Sequence, residues 1–195
     1  MNASELQALF DAAGVQHFRA QRFLTLRQTG EVVTMPDAYA DAAVRVCQLA
    51  DTLRNRYGAP VRLANGYRPP DYNAAVGGAP KSQHIFGAAV DLDPLDGREA
   101  EFQALAAQLW LENPDQLAGL GVYNGGRIHL DVPNAPGVAA RRSWPKDSEL
   151  RTAALETAKT LPDAGAPPIV AVAGAPSLAP VGALAGILAW WSRRT

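Results

Sequence analysis

The sequence predicts an α+β fold, with a small, mainly antiparallel sheet, helices packed on one face and a polar cleft on the other. Two stretches with apolar residues at helical spacing, 37–57 and 98–112, are long enough to cover one face of a sheet. Short segments between and after them alternate polar and apolar residues with the period of two that is typical of strands. The glycine-rich stretch 119–126 predicts a hairpin, which favours antiparallel pairing.

Three helices are predicted from capping residues and apolar spacing. A short helix over 4–13 has Ser4 as a suitable N-cap. The longest helix covers 37–57 and ends at Gly58, since glycine readily adopts the left-handed conformation that ends a helix. The third helix covers 98–112 and stops before a proline.

Three strands are predicted, over 61–65, 88–93 and 127–132. Alternation places every second side chain of a strand on the same face, so each of the last two strands has one polar and one apolar face. The residues expected on the polar face are Asp91 and Asp93 of the second strand and Arg127, His129 and Asp131 of the third. The strand period alone therefore predicts both the polar cleft and the apolar core.

Composition limits the classes of protein to which the chain can belong. Its 195 residues suffice for one core of ordinary size with a tail, and 48% hydrophobic and 19% charged residues are typical of a folded soluble protein. A net charge of -1 gives no general attraction to nucleic acid. Cys47 is the only cysteine, which excludes an intramolecular disulfide and a cysteine-based structural zinc site. The first residues lack the basic start and apolar run of a secretory signal peptide.

Two histidines and a carboxylate are candidate ligands of one catalytic metal: His84, Asp91 and His129. A hydrolytic zinc ion takes three protein ligands of this kind and leaves a fourth position for water. His84 and Asp91 are seven residues apart, and His129 follows much later in the sequence. This spacing differs from the helical His-Glu-x-x-His pattern. His17, the third histidine, lies outside this pattern and is expected to be structural.

Four linked motifs resemble a known family. In order they are Gly66-Tyr67-Arg68-Pro69-Pro70-Asp71-Tyr72-Asn73, Ser82-x-His84-x-x-Gly87-x-Ala89-x-Asp91, Gly121-x-Tyr123 and His129-x-Asp131. Together they resemble the zinc D-alanyl-D-alanine carboxypeptidases and murein endopeptidases, which share a fold with lysostaphin-type endopeptidases and the Hedgehog signalling domain. The resemblance covers about 36–144 and is closest to the phage and bacterial branch with a final His-x-Asp motif. It implies that the zinc ligands are His84, Asp91 and His129.

The resemblance also implies roles around the metal. Arg68 matches an arginine that faces the substrate, where a guanidinium neutralises charge on the scissile carbonyl oxygen. The alternative role of Arg68 is to form an ion pair with a nearby carboxylate such as Asp71. Ser82 matches a position that contacts substrate or braces a metal ligand, although serine is also a common turn residue. Tyr123, in the third motif, is assigned to substrate binding.

The catalytic base is where the sequence departs from the family pattern. Much of the family has an acidic residue three positions before the second histidine, and Gly126 stands there. Arg127 occupies the position two before His129, where a histidine would be the other candidate. Asp131, on the same strand face as His129, is the remaining candidate base. Its alternative role is to orient a ligand histidine through the other ring N–H.

The resemblance implies a zinc metallopeptidase that hydrolyses a D-alanine-containing stem peptide or crosslink of peptidoglycan, as an endopeptidase or a carboxypeptidase. A phage or prophage lysin would fit this description and would act at the cell wall. The alternative is a zinc-binding cell-wall or structural module without catalysis. Peptidoglycan is the expected partner, nucleic acid is not, and a monomer is expected.

Four segments are predicted along the chain: an N-terminal helical segment (1–35), the metallopeptidase domain (36–150), a linker (151–168) with a helical extension over 151–160, and an apolar tail (169–195). Residues 169–191 are uncharged and, at 23 residues, long enough to span a bilayer. Two tryptophans followed by two arginines near the end are typical of an interfacial anchor. Prolines within the tail weaken a spanning helix, so the alternative to membrane association is a disordered tail.

Overall fold

The computed structural model describes residues 1–133, 141–145 and 148–162. Within these ranges the helices are α1 (Ala3–Ala12), α2 (Ala20–Phe23), α3 (Ala40–Tyr57), α4 (Pro70–Ala75), α5 (Glu99–Glu112) and α6 (Glu149–Ala158). The strands in the same ranges are β1 (Val61–Asn65), β2 (Ala89–Pro94), β3 (Gly119–Val122), β4 (Ile128–Asp131) and β5 (Arg142–Trp144). The predicted tail, 169–195, lies outside the described residues.

The five strands form one sheet in the order β1-β2-β4-β3-β5. Every neighbouring pair is antiparallel except β3 and β5, which are parallel. The structure therefore confirms the predicted α+β class with a mainly antiparallel sheet. β5 was not predicted from the sequence, and β3 lies in the stretch 119–126 for which only a hairpin was predicted.

The hydrophobic core lies between the sheet and the helices α3 and α5. Apolar side chains of β2 and β4, such as Val90, Leu92 and Leu130, are fully buried there, as the strand alternation predicts. Cys47 of α3 is also fully buried, and burial raises the pKa of its thiol. Cys47 is thus a core residue, as its place in an apolar helical run predicts.

The N-terminal segment shares this core. Leu6 and Phe10 of α1 pack in the same hydrophobic cluster as α3 and the sheet. The N-cap of α1 is Asn2 rather than Ser4. The Asn2 side chain accepts hydrogen bonds from two backbone N–H groups, and the Asn2 N–H donates to the Glu5 carboxylate. This reciprocal pair is a capping box, which Ser4 does not form.

The chain after β5 forms a further packed helix. α6 begins after Ser148, whose side chain accepts from the Arg151 N–H, and packs against α5. Ala154 and Ala158, one helical turn apart, supply its buried face. Residues 151–158, assigned to a linker, are therefore folded onto the core, and the predicted helical extension is confirmed. No helix in the described ranges is long and apolar enough to cross a bilayer; the candidate span 169–191 lies outside them.

Candidate metal centre

The three predicted ligands lie together at one end of the polar face of the sheet. Asp91 and His129 are direct cross-strand partners in the β2–β4 pair, so antiparallel register alone places them side by side. His84 comes from a short 3-10 helix, Gln83–Phe86, that precedes β2. His84 Nε2 lies 3.2 Å from Asp91 Oδ1 and 3.2 Å from His129 Nδ1. His129 Nδ1 lies 2.9 Å from the same Asp91 oxygen.

The remaining polar atoms of His84 and Asp91 are held by the residues around them. The His84 Nδ1–H donates to the Gly66 carbonyl oxygen at 2.7 Å, because a carbonyl can only accept. This bond leaves Nε2 free of a proton in the neutral ring. Asp91 Oδ2 accepts from Asn65 Nδ2 at 2.7 Å and from Arg68 Nη2 at 3.3 Å. Asp91 Oδ1 is thereby left to face the two histidines.

Asp131 forms a hydrogen bond with Nε2 of His129, on the other side of the ring from Asp91. Its Oδ2 lies 3.1 Å from His129 Nε2 and accepts from Arg142 Nη2 at 2.6 Å. Because the two ring nitrogens lie on opposite edges, Asp131 is separated by the ring from the edge that faces Asp91. Its side chain is 0% exposed. Of the two roles that the sequence left open for Asp131, this geometry favours orienting His129 over serving as catalytic base.

The ionisable groups of the centre shift one another's pKa. Burial alone would lower the pKa of His129, but hydrogen bonds to Asp131 and Asp91 raise it to about 9. Burial lowers the pKa of His84. Burial would raise the pKa of Asp91, but His84 and His129 hold it well below its usual range. Without a metal, the protonated His129 ring thus lies between Asp91 and Asp131, and its Nδ1–H lies where the three ligand atoms converge.

The residues fit a zinc ion. One oxygen and two imidazole nitrogens are ordinary zinc donors, and bond lengths of about 2.0–2.1 Å imply roughly 3.3 Å between neighbouring ligands of a tetrahedron. The three distances within the cluster, 2.9, 3.2 and 3.2 Å, are close to that value. Each ligand is also fixed by a hydrogen bond on its far side, as is usual at zinc sites.

A family model described as Peptidase M15 matches residues 16–131, which is more than half of the chain. The chain belongs to the peptidase M15 family. M15 peptidases are zinc-dependent, and the matched range contains all three ligands of the centre. Family membership confirms the resemblance drawn from the four motifs. The comparison with curated proteins found no match.

In this M15 protein the metal centre opens into a cavity of about 960 Å³. Ser82 and Tyr123, both assigned to substrate contact, line it. Trp144 of β5 forms a further wall, with its ring centroid 5.0 Å from that of His129 and its Nε1–H donating to the Tyr123 hydroxyl at 2.6 Å. The cationic residues that line it are Arg62, Arg68, Lys81, Arg127 and Arg142.

Arg68 lies where the family motif predicts it, in the cavity wall beside the metal ligands. Its Nη2 donates to Asp91 and its Nη1 to Asn73 Oδ1, both at 3.3 Å. The carboxylate partner of Arg68 is thus the candidate metal ligand Asp91 and not Asp71, the partner considered from sequence. The Arg68 side chain is 16% exposed, and its Nε has no hydrogen-bond partner among the described residues.

No carboxylate stands where the family usually has its acid. Gly126 has a φ of +77°, and a Cβ there would lie 2.5 Å from Glu99 Cγ and 2.7 Å from Pro94 Cγ. A longer side chain at position 126 would therefore be strained and obstructed. The carboxylates among the described cavity residues are Asp91, Asp93 and Asp131, and each already interacts with at least two cationic or hydrogen-bonding side chains.

Several residues of the site were missed from sequence. Arg142 and Trp144 follow the last motif, and no periodicity in the sequence links them to the metal centre. Asp93 and Arg127 were placed on the polar face by alternation but received no role. The signal that could have found them is this shared face, since oppositely charged residues on neighbouring strands commonly pair.

Proposed function

We propose that this protein is a zinc peptidase that hydrolyses a peptide bond in a D-alanine-containing stem peptide or crosslink of bacterial peptidoglycan. The observation that carries this proposal is the convergence of His84, Asp91 and His129 beside a cavity large enough for a peptide. Membership of the M15 family supports peptidase chemistry. The four sequence motifs support peptidoglycan as substrate, and the site of action would then be the cell wall.

In this proposal His84, Asp91 and His129 hold the zinc ion. When bound, zinc supplies a Lewis acid that polarises a carbonyl and activates water. Arg68 would donate to the oxygen that gains charge at the scissile carbonyl, since its guanidinium is in the cavity wall next to Asp91. Asp131 would keep His129 in one tautomer and one orientation.

Substrate contacts are assigned to Ser82 and Tyr123. Ser82 precedes the 3-10 helix that carries His84, and its side chain makes no capping bond to that helix. Its hydroxyl can therefore bond to a peptide in the cavity. The Tyr123 hydroxyl accepts the Trp144 Nε1–H and retains its own O–H to donate to a substrate carbonyl.

A second candidate function is a zinc-binding cell-wall module without catalysis. It is favoured by the partners that Asp91, Asp93 and Asp131 already have among the described residues. Asp131 Oδ1 has no hydrogen-bond partner there, but it is buried. A peptidase without a positioned base would lose a factor of roughly a hundred to ten thousand in rate. The two candidates differ in whether peptidoglycan is cut or only bound.

The deciding experiment is digestion of purified peptidoglycan by the zinc-loaded full chain, with mass analysis of the released fragments. Free D-alanine would identify a carboxypeptidase, and separated muropeptides an endopeptidase. The His84→Ala variant, which lacks one ligand, is the negative control. Sedimentation of the protein with peptidoglycan without any released fragment would favour the binding module.

A further inference from the structure

A second charged cluster lies beside the metal centre on the same face of the sheet. Asp93 follows Asp91 by two residues on β2, so the two side chains share a face and lie about 7 Å apart along the strand. Arg62 of β1 is the direct cross-strand partner of Asp93. Arg127 approaches Asp93 from the other side, next to β4. Asp93 therefore lies between two arginines.

Two cations share one anion in this cluster. Arg127 donates to both oxygens of Asp93, at 2.6 and 2.8 Å, and Arg62 donates to Oδ2 at 2.7 and 3.3 Å. Burial would raise the pKa of Asp93, but these bonds lower it, so the carboxylate is ionised and the cluster carries one net positive charge. The side chains of Asp93, Arg127 and Arg62 are 8%, 25% and 53% exposed.

Both arginines retain donors that can bind a further anion. The bonds to Asp93 use Nε and Nη2 of each guanidinium, and in the described part of the chain neither Nη1 has a hydrogen-bond partner. Arg62 and Arg127 both line the cavity. A guanidinium whose plane is fixed by a buried carboxylate is preorganised for a second, bidentate carboxylate partner.

We propose that Arg62 and Arg127, held in place by Asp93, form a subsite for a substrate carboxylate. The inference rests on the proposed function and adds where the anionic group of the peptide lies. A peptide chain extends by about 3.3–3.6 Å per residue, so a cluster about 7 Å from the ligand Asp91 is reached by a carboxylate within one or two residues of the scissile bond. Both a free C-terminal carboxylate and a side-chain carboxylate meet this condition.

The test compares three synthetic stem peptides that end in D-Ala-D-Ala: one unmodified, one with its C-terminus amidated, and one with its side-chain carboxylates amidated. The measurement is kcat/KM with the zinc-loaded full chain. Loss of the bound carboxylate should lower kcat/KM about tenfold or more, the usual effect of a hydrogen bond to a charged group. The amidation that causes the loss identifies which carboxylate binds.

Arg62→Gln and Arg127→Gln should each reduce this preference about tenfold or more. Arg45→Gln is the matched control, because Arg45 pairs with Asp41 on α3 and does not line the cavity. Equal cleavage of all three peptides by the unaltered protein would overturn the proposal, as would an unchanged preference in both variants. In either case the peptidase function itself would stand.

Binding gives a readout that does not depend on cleavage. By calorimetry with the full chain carrying His84→Ala, the unmodified peptide should bind about tenfold more tightly than the amidated one that lacks the recognised carboxylate, and Arg62→Gln in the same background should remove the difference. Absence of any hydrolysis with this preference intact would refute the peptidase and retain the subsite. Equal affinity for all three peptides would overturn the subsite.

Discussion

Asp131 Oδ2 and His129 Nε2 lie 3.1 Å apart, on the edge of the imidazole ring that faces away from Asp91. Since a carboxylate accepts, His129 donates its Nε2–H to Asp131 and presents Nδ1 to the other ligands. Arg142 bonds to the same oxygen and fixes the carboxylate in turn. This is the arrangement by which a carboxylate orients a zinc-binding histidine, and it decides what Asp131 is expected to do.

Asp131→Asn should weaken zinc binding about ten- to hundredfold, because the amide cannot stabilise the tautomer of His129 as a carboxylate does. Activity should return when zinc is raised to saturation. The measurement is a competition titration with a chelator, followed by peptide hydrolysis at saturating zinc. Asp71→Asn, which changes a carboxylate outside the cavity, is the control. Normal zinc affinity with abolished hydrolysis would make Asp131 the general base after all.

Purified protein should contain one zinc ion per chain, and His84→Ala, Asp91→Ala and His129→Ala should each lose it, because three protein ligands are needed for a stable open site. Elemental analysis after dialysis measures this. His17→Ala is the matched control, since His17 bonds to Asn55 outside the cluster. Unchanged zinc in all three ligand variants would refute the metal centre.

The metal-free protein should become less stable as the pH rises from about 6.5 towards 9. The pKa of His129 is about 9 in the folded chain, against about 6.5 when unfolded, so the stabilisation is complete below 6.5 and is lost as the pH passes the folded value. Urea unfolding of chelator-treated protein between pH 6.5 and 8.5 measures it. The Cys47 thiol, whose pKa burial raises, adds to this loss only near the upper end of the window, where the thiol of the unfolded chain begins to ionise at about pH 8.5.

His129→Gln should remove most of that pH dependence, since glutamine does not titrate. Zinc replaces the proton at His129 Nδ1, so the zinc-loaded protein should gain apparent stability over the same range as proton competition weakens. A stability of the metal-free protein that rose with pH would contradict the charge state assigned to His129.

Local patterns predicted most of the site. The period of two placed Asp91 and His129 on the polar faces of β2 and β4, and the glycine-rich hairpin indicated that β3 and β4 pair. The β2–β4 register that sets Asp91 opposite His129 comes from the structure. The predicted N-cap of α1, Ser4, was wrong, because Asn2 and Ser4 are both good N-cap residues. The glutamate three positions after Asn2 is the signal that distinguishes them.

Long-range contacts could not be predicted in the same way. β5 pairs in parallel with β3, and no alternation in three residues indicates which strand edge they join. This pairing brings Arg142 to Asp131 and Trp144 to Tyr123. The role of Asp131 depended on which edge of a ring it meets, and a side-chain rotamer of this kind is set by packing rather than by sequence period.

Arg68→Ala should lower kcat/KM about a hundredfold to a thousandfold, the usual loss for one donor to a developing oxyanion. Zinc content should not change, because Asn65 still holds Asp91 Oδ2 at 2.7 Å when the 3.3 Å bond from Arg68 is removed. Peptide hydrolysis and elemental analysis of the same sample measure both. Arg68→Lys should recover part of the rate through its charge, and Arg45→Ala should behave as the unaltered protein. Near-normal rates in Arg68→Ala would reduce Arg68 to a brace between Asn73 and Asp91.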